Sequence, residues 1–313
     1  MLTRRTVIAT GNEATYGTVA AATYMILGWD VNLDVKGEIL KRDILRDTLS
    51  NIPHVIGMRE IGVTFKTEIR AAGGGTNPEM HALLVGCAFG TATHTGTQAI
   101  TYNLQSTEDV IKSTSLVIYK DGNKHSILGA RGNVKFNFEA GKYGVADWDF
   151  KGLYVAVAAS TTPDLAGVDT RQPPIIYNSS FQIAGFSPVC SKLDIDLVNE
   201  VTRRDDLNAT FGVKSFTITG RKPKMTFRAD AVVESSNPFW GDWDGGVVDS
   251  FGVNAGSAAQ GQQVFFSGFF EYESPKYADD NGQVVYDCDA ALVSSDVNTQ
   301  NDELAIRFGL TIA

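Results

Sequence analysis

The sequence contains few cysteines. Cys87, Cys190 and Cys288 are the only three among 313 residues, and they are widely spaced. An odd number at such spacing excludes a regular disulfide framework, and no CxxC pair suggests a zinc site. We therefore expect three reduced, buried thiols in a protein made in the cytosol.

The sequence also lacks a run of basic residues. Its formal net charge is −9 and its isoelectric point is near 5.0. Tight binding to DNA or RNA requires clustered lysines and arginines that neutralise phosphates. The charge therefore argues against a protein that binds nucleic acid, because an acidic surface repels phosphates.

Long apolar segments are missing as well. No run approaches the ~20 residues that a helix needs to cross a bilayer. Residues 1–5 are not followed by an apolar stretch, so we expect no signal peptide and no membrane partner. The sequons at Asn178 and Asn208 then carry no information about glycosylation.

Patterns that signal catalysis or metal binding are missing too. The histidines are scattered along the chain at His54, His81, His94 and His125. None belongs to an HExxH motif, and Gly73–Gly75 lacks the GK[ST] of a phosphate-binding loop. We therefore expect no catalytic residue, no cofactor and no metal, and we do not expect an enzyme.

What is abundant favours β-structure. The chain contains 31 glycines, and hydrophobic residues make up 43% of it. Apolar and polar residues alternate over Leu27–Val35 and Val63–Ile69, as in strands with one buried face. Asp121–Asn123 and Asp280–Gly282 are hairpin signals between such segments. The sequence predicts a mainly β protein.

One segment has the pattern of a helix instead. Asn77 suits an N-cap and Pro78 suits the first helical position. Met80, Leu83, Leu84 and Cys87 follow at helical spacing and form one apolar stripe. The spacing predicts a helix over residues 77–89 that covers one face of a sheet and ends near Gly90.

The chain divides at a stretch of weak periodicity. Residues 161–180 contain a tandem proline, Pro173-Pro174, which restricts the chain to extended forms. We expect an N-terminal arm over residues 1–20, a first domain over 21–160, a linker over 161–180 and a second domain over 181–313. The arm is expected to be disordered or ordered by a partner.

The two domains share a repeat. Leu33–Lys66 aligns with Ile195–Arg228 without a gap. The identical pairs are Asp34/Asp196, Glu38/Glu200, Arg42/Arg204, Asp43/Asp205, Leu45/Leu207, Thr48/Thr210, Ile56/Ile218, Arg59/Arg221, Thr64/Thr226 and Phe65/Phe227. Alternation alone does not explain the charged matches, so we infer a duplication.

Two further matches are weaker. Asn77-Pro78 recurs as Asn237-Pro238, but glycines follow, so the second helix is expected to be short. Closing strands match loosely, with Trp148–Leu153 against Asp287–Leu292.

Each copy carries a long, charged loop. Residues 36–55 and 198–217 exceed the length of a tight hairpin connection. In a monomer such loops usually lie in water, but two equivalent ones suggest contacts between subunits or rings. The candidate contacts are Glu38, Lys41, Arg42, Asp43 and Arg46 in the first loop, and Glu200, Arg203, Arg204, Asp205 and Asp206 in the second.

Several motifs, in order, resemble the major tail tube proteins of long-tailed, siphovirus-type bacteriophages. They are Glu13–Thr18, the loop Glu38–Leu45, the strand Gly57–Phe65, the helix Asn77–Phe89, Gly185-Phe186 with Lys192–Leu197, and Arg221–Pro223. The resemblance covers nearly the whole chain. It implies two tandem domains of β-sandwich or barrel-like fold, each with a flanking helix that is short in the second.

The resemblance also implies a function. Single-domain members form six-fold rings that stack into a tube for DNA, so two domains per chain predict trimers with pseudo-six-fold symmetry. A smaller second domain could instead decorate rings of six chains. Expected partners are other copies, tail tip and terminator proteins, and the tape measure protein and DNA in the lumen without specific binding. The protein would reside in the virion tail after synthesis in the bacterial cytoplasm.

Other classes of protein remain open. Asp242, Trp243 and Asp244 resemble a sugar subsite with paired acids, so the alternative is a β-sandwich protein that binds or hydrolyses carbohydrate. A surface turn with an aromatic anchor explains the same residues. A capsid or sheath component would share the fold without hollow rings.

Overall fold

A computed structural model describes residues 2, 4–21, 23–70, 76–90, 93–95, 99–108, 110–165, 168, 171–177, 179–255 and 263–309. In chain order, the strands are β1 Thr6–Asn12, β2 Tyr24–Ile26, β3 Gly28–Leu40, β4 Val55–Glu68, β5 Thr93–Thr95, β6 Ala99–Asn103, β7 Thr114–Lys120, β8 Asn123–Glu139, β9 Val145–Tyr154, β10 Ala158–Ala159, β11 Gln182–Ile183, β12 Cys190–Asp196, β13 Asn199–Asp205, β14 Val213–Arg221, β15 Lys224–Asp230, β16 Asp249–Ala255, β17 Val264–Asp280, β18 Gln283–Leu292 and β19 Ala305–Gly309. The helices are α1, His81–Gly86, and α2, Phe239–Gly245.

Eight strands form one continuous antiparallel layer. Their spatial order is β3, β4, β9, β8, β12, β15, β18 and β17. The first four belong to residues 21–160, called the first half below, and the last four to residues 181–313, the second half. The strands β8 and β12 join the halves, with Ile195 beside Phe136.

β1, β6, β7, β16 and β19 pack on one face of this layer and share its core. The first part of β8 pairs with β7, which pairs with β1, and the first part of β17 pairs with β16 and β19. β19 also pairs with β6 of the first half. Phe136, Trp148 and Phe266 are in edge-to-face contact in the shared core. The predicted mainly β, sandwich-like fold is confirmed.

Both predicted hairpin turns are confirmed. β7 and β8 are joined by Asp121-Gly122, and β17 and β18 by Asn281-Gly282. All four residues have positive φ, as the tightest antiparallel turns require. These short-range signals fix the register of both strand pairs.

The first helix is much shorter than the predicted segment 77–89. It spans only six residues, and Met80, not Asn77, precedes its first turn. Every residue of α1 is buried. The helix is therefore enclosed by the fold on all sides, whereas the prediction was a helix with one buried face against a sheet. Ala88 ends it, with a φ of 68°, before the expected Gly90. The second helix has seven residues, so it is no shorter than the first.

The N-terminal segment 1–20 was expected to be an arm, but residues 6–13 of it are part of the fold. Thr6–Asn12 pairs with β7 along its whole length, and Ile8 and Ala9 are buried. The side chain of Glu13 is buried as well. Residues 6–13 therefore belong to the first half.

The two halves have the same strand register. Leu33 lies opposite Val63, and the aligned Ile195 lies opposite Met225. Further along, the ladders of both halves have an irregularity at the aligned glutamates Glu38 and Glu200. Side chains on the repeated strands are therefore related position by position.

The loose match of the closing strands was wrong by one residue. Phe65 and its aligned partner Phe227 lie opposite Trp148 and Cys288, respectively. Trp148 therefore corresponds to Cys288, not Asp287. A shift of one residue would place a core side chain on the polar face.

Candidate assembly surfaces

The eight-stranded layer ends in two edges. Among the described strands, β3 hydrogen-bonds only to β4. The second part of β17, Glu271–Asp280, pairs with no described strand other than β18, and the Trp243 side chain donates to its Glu273 carbonyl. Each edge presents backbone groups that can pair with another chain.

Beyond the layer, the repeat continues as a hairpin in each half. We call Gly37–Arg59 the first hairpin and the aligned Asn199–Arg221, which contains β13 and β14, the second hairpin. The second hairpin packs on β8, β9 and β4 of the first half. At its base, the Asn199 Nδ2 donates to the carbonyl oxygens of Cys87 and Gly132, each at 3.0 Å. The end of α1 thus contributes to this contact.

Two side chains of the first half hold the backbone of Phe216 in the second hairpin. The Phe216 N–H donates to the Tyr16 hydroxyl at 2.7 Å, and Arg131 Nη1 donates to the Phe216 carbonyl at 3.2 Å. Arg131 also lies over the Tyr16 ring, 5.4 Å from its centre. Burial raises the pKa of Tyr16 to about 12, so the hydroxyl stays neutral.

Tyr16 is positioned by a buried carboxylate. Glu13 accepts hydrogen bonds from the N–H groups of Gly17 and Gly129 and from the hydroxyls of Ser113 and Ser115, at 2.6–2.8 Å. These donors compensate for the loss of water around a buried charge. The loop 13–17 therefore connects the core of the first half to the second hairpin.

The predicted residues of the second loop make contacts within this chain. Arg203 pairs with Glu60 at 3.1 Å and with Asp205 at 2.8 Å. The other two ion pairs of this set are Arg204 with Glu108 at 3.8 Å and Asp206 with Lys214 at 3.5 Å. Glu200 lies opposite Gly220 in the hairpin.

The predicted residues of the first loop are elsewhere. Glu38, Lys41, Arg42, Asp43 and Arg46 are all exposed, and Arg46 donates to the carbonyl of Ser50. The structure therefore does not bring the two predicted sets together in one chain.

Sequence reasoning missed the residues that seat the second hairpin. Asn199 and Arg131 gave no signal, because their partners are backbone atoms far away in sequence. Glu13 and Tyr16 did lie in a motif that was noticed, Glu13–Thr18. This motif places the Glu13 carboxylate and the Tyr16 hydroxyl in the same loop.

The face of the layer opposite the core is polar. It carries charged side chains that pair with one another, across strands for Asp194 and Lys135 at 3.2 Å and within β12 for Asp194 and Lys192 at 3.0 Å. Arg228 forms a two-point pair with Asp287 at 2.7 and 2.9 Å. This face is therefore highly charged but not basic overall.

The residues that suggested a sugar subsite lie on α2. Trp243 is partly exposed and packs edge-to-face on Trp240. Burial, with Asp249 and Glu234 nearby, raises the pKa of Asp242. The described residues include no group of His, Cys, Asp and Glu side chains that could hold a metal, and no described helix is long and apolar enough to cross a membrane.

The three cysteines are free. Cys87 and Cys288 are buried, and Cys190 is partly exposed. Burial raises the pKa of the Cys288 thiol to about 12 and that of Cys190 to about 11. Such thiols are poor nucleophiles at neutral pH.

Comparison with known proteins gives one family. No curated protein matches the chain significantly. The family model described as phage tail tube protein matches residues 3–286, which is most of the 313-residue chain. That family is structural and not enzymatic. This protein, whose halves have the same strand register, belongs to the phage tail tube protein family.

Proposed function

We propose that the chain assembles head to tail into closed rings, which stack into a siphovirus-type tail tube through which DNA is ejected. The observation that carries this proposal is the pairing of β8 with β12 inside one chain. In the spatial order of the layer, this pairing joins β8, the last strand of the first half, to β12, the first strand of the second half. The same joint between β17 of one chain and β3 of the next would leave no open edge.

The repeated register predicts which residues would meet in the proposed joint. Phe136 lies opposite Ala146 in β9, and Tyr277 lies opposite Tyr286 in β18. Ala146 and Tyr286 each lie two residues before the corresponding Trp148 and Cys288. Tyr277 is therefore the counterpart of Phe136.

The joint between chains then follows from the joint within one. Ile195 lies opposite Phe136, so its counterpart Leu33 should lie opposite Tyr277 of the neighbouring chain. The next pair within the chain, Asp196 and Lys135, is oppositely charged. Its counterpart between chains, Asp34 and Lys276, is oppositely charged as well, which favours this register.

Three chains per ring is the number that we propose. Each chain supplies two copies of one unit, so three chains provide the six units of the single-domain rings that the sequence resembles. If the second half decorated the outside instead, six chains would form each ring. The continuous layer through both halves favours three, because it gives both halves the same position in the wall.

Cysteines at positions 33 and 277 test the ring. We expect Leu33→Cys/Tyr277→Cys to form disulfides between chains, because directly opposed strand residues are close enough to bridge. Non-reducing gel electrophoresis of assembled tubes should show dimers and trimers of the chain, with nothing larger. Cross-linked bands that continue up to six chains would reject the trimer, but they would still support a closed ring.

The matched control moves one cysteine by one residue. In Leu33→Cys/Ala278→Cys the second thiol points to the opposite face of the strand, so cross-linking should fall to background. Equal cross-linking of both pairs would contradict the register. Electron microscopy of the unmodified protein checks the proposal itself, since isolated monomers without rings or tubes under all conditions would reject it.

The polar face of the layer is proposed to line the lumen, because the core and both helices cover the other face. Because side chains alternate between the two faces along each strand, the residues on this face can be read from the sequence, and its acidic side chains outnumber its basic ones. Arg131, which the second hairpin covers, and its counterpart Glu271 are left aside. The other acids are Asp30, Asp34, Glu60, Glu68, Glu139, Asp147, Asp149, Asp194, Asp196, Asp230, Asp280, Asp287 and Asp289, and the other bases are Lys36, Lys66, Lys135, Lys151, Lys192, Lys224, Arg228 and Lys276. A negative lumen repels phosphates and lets DNA slide.

Reversing a lumenal charge should make the tube retain DNA. We expect tubes of Asp149→Lys to hold short duplex DNA at low salt and to release it at high salt, because every ring then adds positive charge to the wall. Retention is measured by sedimenting tubes with labelled DNA. Asp164→Lys, outside this face, is the control; equal retention by both variants, or none by Asp149→Lys, would place the lumen elsewhere.

The proposed partners follow from the proposed tube. The ends of the stack would contact tail tip and terminator proteins, and the lumen would hold the tape measure protein and then DNA without specific binding. The protein would be made in the bacterial cytoplasm and reside in the virion tail.

A further inference from the structure

The two hairpins have equivalent sequences but different surroundings. Leu197 in the second half is fully buried, whereas its counterpart Val35 is 49% exposed. Thr217 is 8% exposed, whereas its counterpart Val55 is 50% exposed. The difference arises because the second hairpin packs on the first half, while nothing in the described chain covers the first hairpin in the same way.

The first hairpin presents a large apolar surface. Its exposed hydrophobic residues, with the strand that leads into it, are Val35, Ile39, Leu40, Ile44, Leu45, Leu49, Val55 and Ile56. A clustered apolar surface of this kind marks a binding site in a soluble protein. The strand β3, which forms the proposed ring joint, runs directly into this surface.

The surface that the first hairpin should meet follows from the register. Arg131, which holds the second hairpin, lies opposite Lys151 in β9. Glu271 has the corresponding place in the second half, opposite Ala291 in β18. If α1 and α2 are aligned by the match of Asn77-Pro78 with Asn237-Pro238, the end of α1, which accepts from Asn199, corresponds to the end of α2.

This part of the second half is acidic. Glu271 and Glu273 lie along the start of the free part of β17, and Trp243 Nε1 donates to the Glu273 carbonyl at 3.0 Å. Asp242 and Asp249 lie nearby, and crowding with other acids contributes to the raised pKa of Asp242. We call Trp243, Val247, Glu271 and Glu273 the acidic surface; Trp243 and Val247 add exposed apolar area.

The charges of the two surfaces are complementary. Arg131 contacts the second hairpin in the first half, and Glu271 is at the corresponding position in the second half. The first hairpin carries Lys41, Arg42 and Arg46 in its exposed loop. Opposite charges across an interface select the partner and its orientation.

We propose that the first hairpin of one chain docks on the acidic surface of the neighbouring chain in the ring. This rests on the proposed ring and adds a second contact to it. It repeats between chains what the second hairpin does within one chain. The occupant is another copy of this chain, and the basic loop with its apolar flank is the part that binds.

Charge reversal in the first hairpin tests this contact. In Lys41→Glu/Arg42→Glu/Arg46→Glu, like charges would face the acidic surface, so the concentration for half-maximal ring formation should rise about tenfold or more. Light scattering and electron microscopy measure it. The residues are exposed, so the monomer should unfold at the same temperature as the unmodified chain.

A compensating change makes the test specific. Adding Glu271→Lys/Glu273→Lys to the reversed hairpin should restore assembly toward the original concentration, and Glu271→Lys/Glu273→Lys alone should impair it. Lys112→Glu/Lys120→Glu/Lys124→Glu, with the same change in net charge on the β7–β8 side, should assemble normally. Equal impairment by this control would show an effect of net charge only and overturn the proposal.

Failure of this inference is distinguishable from failure of the proposed function. If the unmodified chain forms rings and the reversed hairpin forms them equally well, the docking contact is wrong and the ring stands. If the unmodified chain forms no rings while it remains folded, both are rejected.

Discussion

Glu13→Ala is expected to lower the free energy of unfolding of the monomer by about 3 kcal/mol, because buried donors lose their acceptor. Two N–H groups and two hydroxyls point at this carboxylate, and its side chain is almost fully buried. A water molecule can replace only some of these bonds. Urea denaturation followed by tryptophan fluorescence measures the change.

The same variant should loosen the second hairpin. Glu13 orders the loop that carries Tyr16, and Tyr16 accepts the hydrogen bond of the Phe216 N–H. Amide hydrogen exchange at Phe216 should therefore speed up more than exchange in β15, which is held by β12 and β18.

An exposed glutamate is the matched control for this prediction. Glu38→Ala should change the free energy of unfolding by no more than about 0.5 kcal/mol, as is usual for surface positions. A loss from Glu13→Ala that is no larger than the loss from Glu38→Ala would contradict the role of the buried carboxylate.

The sequence predicts the parts of this fold that depend on neighbouring residues. The turns Asp121-Gly122 and Asn281-Gly282 were predicted because positive φ at both positions needs Asn, Asp or Gly. The repeat was visible in the sequence, and the equal registers of Leu33 and Ile195 agree with it. The turn signal depends only on neighbouring residues, and the repeat is found by comparing two segments of the same sequence.

The helix was mispredicted because its limits are set by tertiary contacts. Asn77 and Pro78 suit a helix start, but the helix begins only after Met80. Around Gly86 the packing is so close that a Cβ would lie 2.9 Å from Thr114 and 3.0 Å from Phe150. Periodicity shows one buried face, and it cannot show that the opposite face is buried as well.

The N-terminal segment was misjudged for a related reason. A glutamate after Gly11-Asn12 suggests an exposed break, since a carboxylate is costly to bury without partners. Three of the four donors to Glu13 come from residues 113–129, far along the chain. The candidate loops show the same limit, because an alignment relates Arg42 to Arg204 without showing that their surroundings differ.

Arg221→Met is expected to cost the folded monomer about 3–5 kcal/mol, because it leaves the nearly buried Glu303 without its ion-pair partner. Arg221 Nε and Nη2 lie 2.6 and 2.5 Å from Glu303 Oε1. Arg221 Nη1 donates to the Gln105 carbonyl at 2.6 Å. The side chain therefore ties the base of the second hairpin to the first half and to the segment before β19.

A double variant separates the lost ion pair from lost packing. Arg221→Met/Glu303→Leu removes both charges, so it should be more stable than Arg221→Met alone, since no buried charge remains unpaired. Losses that simply add would show that the two side chains are not coupled.

The counterpart Arg59 makes a different contact, over the Phe211 ring at 4.9 Å. Arg59→Met should therefore cost less than Arg221→Met, because no acid is left buried. A repeated arginine thus stabilises each half by a different interaction, which the denaturation midpoints of these three variants measure directly.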